Sequence, residues 1–419
     1  MTTENITTKK KSWGYSESFM IAFELLILGF GLEVITGGRG IRSPHMPYNL
    51  YIIVAYTILT VALHIYYRNS RTIKWLSSVP ASISAISVYA LLVLLLGFIP
   101  QGQSSYRLVE MLGLNHLKNS WPFIVIEIYV ITSLGLVIMR RTLPVTRRNI
   151  GFFLNHFGLW LTLITAGLGS GDLKRLSLDL MLKGDYNNLA SDGKQQITAL
   201  PFSMKLLDFQ IHYYSPKIAI ADSKSGEVQR QHGESLPLVE KGTEVKLEDW
   251  KIKVTELIPY ALKSDTGYYP SNQPGTAAAA YVIAKNIHTK DSLKGWLCSG
   301  GTMRLDPKYM FISKNQILFL TAPEPKKFQS KVVIKSPEGK TDTLTLEVNK
   351  PHTEKGWKLY QMSYDETMGK DSQVSIIEAV RDPWLPVVYI GIFCLIAGSL
   401  YLFWKGGEVR PELEEDAQK

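Results

Sequence analysis

Cysteine is nearly absent: the 419 residues hold two, Cys298 and Cys394, and no Cys-x-x-Cys. A disulfide-stapled scaffold and an intrinsic dithiol redox centre are thereby excluded, so any thiol-disulfide chemistry in this protein's pathway belongs to other, thiol-reducing chains. Also missing are a Gly-x-Ser-x-Gly elbow, a His-Glu-x-x-His pair, a Walker loop and a Gly-x-Gly-x-x-Gly turn. No catalytic set is recognisable without them. Acidic residues are fewer than basic ones, 37 against 46, which leaves a formal charge of +9. Glycine and proline are ordinary in number, so collagen-like and disordered classes drop out.

What the sequence does have is long apolar runs. A bilayer core of ~30 Å needs about 20 apolar residues per helix, and six such runs occur: about Ser18 to Thr36, Leu50 to Tyr67, Pro80 to Ile99, Trp121 to Met139, Ile150 to Leu168 and Trp384 to Trp404. Lys9, Lys10 and Lys11 precede the first run, Arg68, Arg71 and Lys74 follow the second, and Arg140, Arg141, Arg147 and Arg148 separate the fourth from the fifth. Six alternating spans put all three clusters on one side, which the positive-inside rule makes the cytoplasm. Both termini are then expected in the cytoplasm of a bacterial inner (plasma) membrane, with Gly169 to Asp382 in the periplasm. The short juxtamembrane clusters account for the positive charge, and no nucleic-acid partner is expected. The first run carries Glu24 and Glu33 and lacks a small-x-small cleavage site, so it is expected to remain as a span.

The fold expected is a multi-span α-helical membrane protein of about six transmembrane helices with a large, mostly β external domain inserted between spans five and six. The chain divides as a two-span extension over 1–75, a three-span membrane core over 76–169, an external β-rich domain over 170–382, a last transmembrane helix over 383–404 and a polar, acidic tail over 405–419. Lys251 to Ile258, Lys331 to Lys335 and Thr341 to Val348 alternate or are β-branched, and turn residues separate them, a sandwich or barrel pattern. Near-helical spacing of Leu173, Leu176, Leu180 and Met181 predicts one helix after Gly171. His212, His232, His288 and His352 lie in charged, loop-like surroundings and read as surface residues. Trp250, Trp296 and Trp357 read as core. Cys298 is external and Cys394 lies inside the last span, so this topology keeps them apart.

Ionisable residues inside spans are costly and are functional candidates by default. His156, in Phe152-Phe-Leu-Asn-His-Phe-Gly-Leu-Trp160, is six residues into a helix entering from the cytoplasmic side, roughly 9 Å along it at 1.5 Å per residue. A neutral imidazole there can ligate haem iron, with aromatic and small neighbours against the porphyrin; a structural histidine bonded to another helix is the alternative. His64 and Glu24 lie at a similar depth. Glu24 orienting His64 as a second haem ligand is one reading, and a helix-pinning polar pair is the other. Glu33 and Glu127 lie nearer the outer face, with snorkelling or pairing as their readings. His45 and His116 fall in the short external loops, as solvated residues or as groups that outgoing haem meets.

From about Ser82 onward the chain resembles the ResB/CcsB family of cytochrome c biogenesis proteins. The resemblance is carried by Leu94-Leu-Leu-Gly-Phe-Ile-Pro-Gln101, Ser120-Trp-Pro-Phe-Ile124, Arg140-Arg141, Asn155-His-Phe-Gly-Leu159, the stretch from Leu200 to Tyr214, Gly356-Trp-Lys-Leu-Tyr-Gln-Met-Ser-Tyr364 and Arg381-Asp-Pro-Trp384. It implies a subunit of the system II haem-export and holocytochrome c synthase (haem lyase) complex. Such a complex carries haem b as its transported substrate and supports attachment to apocytochrome c at Cys-x-x-Cys-His sites. It also implies His156 as an axial ligand to the haem iron. The implied partner is a CcsA/ResC-type subunit with a Trp-rich loop, because the nine tryptophans here are dispersed and form no Trp-x-Trp-Asp cluster. The two N-terminal spans depart from the family's four-span pattern. Two other classes stay open: a membrane-anchored assembly or sensing protein without haem, and a b-type quinol-linked membrane cytochrome.

Overall fold

A computed structural model describes residues 13–102, 104, 106–142, 149–194, 196–229, 235–301 and 305–405. His232, Arg147, Arg148, the Lys9 to Lys11 cluster and the tail from residue 406 lie outside the described residues. The chain forms two compact units, one made of residues up to Leu173 and from Asp382 onward, the other of Lys174–Arg381.

The first unit is helical: α1 (Tyr15–Ile35), α2 (Tyr48–Tyr67), α3 (Arg71–Leu76), α4 (Val79–Phe98), α5 (Arg107–Met111), α6 (Trp121–Thr142), α7 (Ile150–Gly169) and α8 (Leu385–Lys405). Six of these, all but α3 and α5, are long and apolar enough to cross a membrane, which makes this a membrane protein. The two short helices were not expected. The Ser70 hydroxyl starts α3 by accepting the Ile73 amide, and Pro80 lies in the first turn of α4, where its missing N–H costs nothing. α6 is the central helix, packed against α1, α2, α4 and α7. The tightest pair is α7 with α8, which meet through glycine. A Cβ on Gly158 would run into Leu395 N and the Gly391 carbonyl, and one on Gly398 into Asn155 N. Asn155 then bonds across to Ser399 Oγ at 2.6 Å.

The second unit is antiparallel β. Its strands are β1 (Lys174–Met181), β2 (Asn187–Ser191), β3 (Ile197–Tyr213), β4 (Ile218–Asp222), β5 (Glu244–Leu247), β6 (Trp250–Lys263), β7 (Tyr268–Pro270) and β8 (Ala277–Asn286). After them come β9 (Ser292–Cys298), β10 (Met310–Phe311), β11 (Gln316–Leu320), β12 (Pro325–Lys335), β13 (Thr341–Glu347), β14 (His352–Glu354), β15 (Trp357–Tyr364) and β16 (Val374–Arg381). One sheet runs β13-β12-β3-β2-β1-β16-β15-β14, a second β5-β6-β8-β9 with β7 on β6, and a third β10-β11-β4.

The segment after Gly171 is a strand, β1, and not a helix. Leu176, Leu178 and Leu180 are buried at period two, between less buried Ser177 and Asp179, and β16 pairs along the whole strand. On β3 the inward set changes parity, from Leu200, Phe202, Met204 and Leu206 to Phe209 and Ile211. The β12 partner of Asp208 is Lys331 and that of Leu206 is Val332, so Leu207 is the extra residue of a bulge that resets the alternation. Trp250 and Trp357 are core residues and Trp296 is half-buried. Cys298 is buried in this unit and Cys394 lies on α8, and both are free thiols.

Candidate functional site

His156 projects from α7, on a different side of the helix from Asn155, which is spent on α8. It is half-buried, and its Nδ1 lies 3.1 Å from the Phe152 carbonyl. With the proton on Nδ1 donated there, Nε2 keeps its lone pair, and no described group bonds to it; this is the tautomer an imidazole needs to ligate a metal. The Phe152 ring stacks on the imidazole with centroids 3.8 Å apart, and the Arg141 guanidinium covers that ring at 5.3 Å. Phe153, Phe157 and Trp160 form a separate stacked series that packs against Ile131, Leu134 and Ile138 of α6. The arrangement offers a flat apolar wall, one free imidazole nitrogen and a cation beside it.

His64 lies on α2, which packs on α6 and α7. Asn49, at the start of α2, bonds to the Leu168 carbonyl at the end of α7, so the two helices run antiparallel. Thr60 and Trp160 both close on Gly135 of α6; His64 is one turn beyond Thr60 on α2 and His156 one turn before Trp160 on α7. No hydrogen bond joins them. The Glu24 to His64 pairing is not formed: α1 packs against α4 and α6, and Glu24 is exposed on its outer side.

The other ionisable groups gather at the opposite end of this unit. Glu33, fully buried at the end of α1, accepts from Gly40 N at 2.9 Å and Trp121 N at 2.8 Å, and its Oε1 is 3.2 Å from His116 Nε2. Pairing is therefore the reading that holds for Glu33, and His116 is a structural partner rather than a free loop residue. Gly40 is required beside it, since a Cβ there would stand 2.8 Å from the His116 ring. Asp172 was not singled out from the sequence. It accepts from Met46 N, Asn49 Nδ2 and Trp384 Nε1 at 2.7–2.9 Å, with exposed His45 at 3.8 Å. Glu127 makes no hydrogen bond among the described residues and lines a cavity of about 310 Å³ between α2, α6 and α7. Tyr56, Arg42 and Lys118 share that lining, and isoleucines supply much of the rest.

In the second unit His212 is exposed on β3, His288 bonds to exposed Asp249 at 3.2 Å, and His352 is 4.0 Å from Glu354. Their surface reading stands. No group of three or more potential metal ligands occurs among the described residues.

A family model, the ResB-like family, matches residues 295–381, from β9 through β16. That match supports a ResB/CcsB assignment. ResB-like proteins are associated with cytochrome c biogenesis. The matched stretch contains Gly356 to Tyr364 and Arg381 of the resemblance, and none of the membrane histidines. No curated protein matches the chain.

Proposed function

We propose that this chain is a non-autonomous subunit of a cytochrome c synthase complex in a bacterial inner membrane, carrying haem outward and supporting its covalent attachment to apocytochrome c. The observation that carries the reading is His156, with Nδ1 engaged by the Phe152 carbonyl and Nε2 free beside an aromatic wall. Haem arriving from the cytoplasmic leaflet meets His156 there, Arg141 is the nearby cation for a propionate, and His64 on α2 is the second span histidine. At the other end of the unit, Arg42 and Lys118 beside the isoleucine-lined cavity suit an amphipathic anion on its way out.

In this reading both termini are cytoplasmic, and the β unit is periplasmic and holds the apocytochrome. A CcsA/ResC-type partner with its Trp-rich loop completes the haem path, and other chains keep the peptide thiols reduced. Attachment adds each Cys S–H across a haem vinyl C=C, sulfur to one carbon and hydrogen to the other, so no oxidant is needed. The protein's contribution is to hold the reactants together, which makes a bimolecular addition effectively intramolecular. A quinol-linked wire of two stacked haems is disfavoured, because the spans carry only His64 and His156.

The test is the reduced-minus-oxidised spectrum of the complex purified in mild detergent, wild type against His156→Ala. A Soret and α-band lost or shifted in the variant is the expected result. An intact complex without haem in either sample would leave the haem-free assembly protein as the better reading.

A further inference from the structure

Glu127 is an ionisable group inside a span, and the haem reading gives it no role. Its place follows from helical spacing. Ile124, Ile128 and Ile131 fall on one face of α6 with Glu127 among them, and Ile164, Gly167 and Leu168 fall on one face of α7. Together with Ile52 and Tyr56 of α2 these faces enclose the cavity of about 310 Å³. Gly167 makes room for the acid, since a Cβ there would stand 2.7 Å from Glu127 Oε1.

The hydroxyls of the wall are all engaged. Ser43 Oγ and Ser170 Oγ are 3.0 Å apart, Ser170 donates to the Gly167 carbonyl, and Tyr56 bonds to Thr132. Glu127 has neither a hydrogen bond nor an ion pair among the described residues. Its carboxyl is also within reach of a ligand: it rests on Gly167, itself part of the cavity wall, and the unpaired side-chain atoms sealed from solvent include Trp121 Nε1 and Trp160 Nε1 but neither oxygen of Glu127. Arg42 and Lys118, both exposed, stand at the mouth. An unpaired carboxyl in an apolar wall is costly, and a hydrogen-bond donor relieves that cost. An acyl chain would suit the isoleucines but leave the carboxyl unbonded. A cation would have to enter past Arg42 and Lys118, and an anion, welcome at the mouth, is repelled by Glu127 inside. The occupant that satisfies all three conditions is neutral, apolar in body and hydroxylated.

We propose that this cavity binds a neutral, lipid-soluble phenol of the hydroquinone type, whose ring hydroxyl donates to Glu127 while the ring lies among Ile124, Ile128 and Ile164. A ring hydroxyl is more acidic than an alkanol's and so bonds a carboxyl more strongly. Because it also accepts, it serves the carboxyl in either protonation state. A mostly apolar pocket with one convergent polar group is the usual form of a small-molecule site. Such a site is separate from His156 and stands or falls independently of the haem reading.

The experiment titrates the full chain in mild detergent with tritiated para-decylphenol, a redox-inert probe of that class, in a scintillation proximity assay. Para-decylanisole, the same shape with its O–H methylated, is expected to bind about tenfold more weakly. Glu127→Leu is expected to erase the difference, binding the phenol about tenfold more weakly and the anisole at least as well as wild type does. Retained anisole binding separates a lost hydrogen bond from a collapsed cavity, and Glu127→Gln repeats the comparison with a group of the same shape. Ile128→Trp, at an exposed lining residue, is expected to weaken both probes and so to place them in this cavity. Equal binding of phenol and anisole to wild type, a preference that survives Glu127→Leu, or no effect of Ile128→Trp would overturn the proposal. So would haem or decanol competing better than unlabelled para-decylphenol.

Discussion

The two units differ in what they leave on the surface. In the helical unit many large apolar side chains face outward, with Ile27 69%, Phe98 82% and Phe403 90% exposed; α1 buries Ser18, Ala22, Gly29 and Glu33 and α8 buries Gly391 and Gly398, while central α6 buries Ile126 and Leu136. In the β unit the core is Leu178, Leu180, Met204, Leu206, Leu318 and Leu359. The difference follows from the solvent. Water drives apolar side chains into the β core, but lipid tails are as apolar as leucine, so helices in a membrane gain from close backbone approach and from hydrogen bonds. Stability therefore rests on filled volume in the β core and on the lack of it where α7 meets α8.

That contrast is tested most severely by adding volume to the helices. Gly158→Leu places a side chain against the α8 backbone, and a loss on the order of 5 kcal/mol is expected, read as collapse of the gel-filtration peak in mild detergent. A normal peak and melting curve would break the comparison. Removing volume from the sheet is the converse. Leu178 is fully buried, and Leu178→Ala is expected to cost about 2–5 kcal/mol, measured by urea unfolding followed through tryptophan fluorescence. The same truncation at Ile27, exposed on α1, should leave stability unchanged.

How far each unit could be read from the sequence differs for the same reason. Six spans are legible because length and hydropathy alone define them, and the positions of Gly158, Gly391 and Gly398 are visible, but which glycine faces which helix is not. The strand after Gly171 was misread because Leu173, Leu176 and Leu180 satisfy helical spacing while Leu176, Leu178 and Leu180 also satisfy period two, and only pairing with β16 decides between them. His156 stood out as an ionisable residue in a span. Its stacked Phe152 is one turn away, but the Arg141 that covers Phe152 belongs to another helix. Glu33 finds its donors at Gly40, His116 and Trp121, and a contact across some eighty residues of chain leaves no spacing signal. Pro259 within an alternating run does signal a bulge, and the pairing of β6 with β8 jumps there from Ile258 to Ala261.

Buried polar groups sharpen the comparison at a smaller scale. Glu33 serves two backbone amides and one imidazole in the helical unit, and Glu33→Gln leaves one amide N–H facing an NH₂ group. A loss of about 1–3 kcal/mol is expected, read as a lower melting temperature in detergent, and a variant as stable as wild type would show that the network only fills space.

The surface of the β unit should show the smallest effect and a distinct pH signature. Lys327 and Lys350, each 2.8 Å from Glu347, hold its carboxyl down to about 2 from an ordinary 4.5. Because the folded value is the lower one, the unfolded chain takes up the proton first as pH falls. The contribution is complete above about pH 4.5, shrinks as pH drops below that, and is gone once pH passes about 2. Surface pairs of this kind are screened by salt. Urea midpoints of wild type and Glu347→Gln should therefore differ most at neutral pH and low salt, and converge toward pH 2 or in high salt. A difference that persists in acid would mean that Glu347 acts through packing between β12 and β13 rather than through its charge.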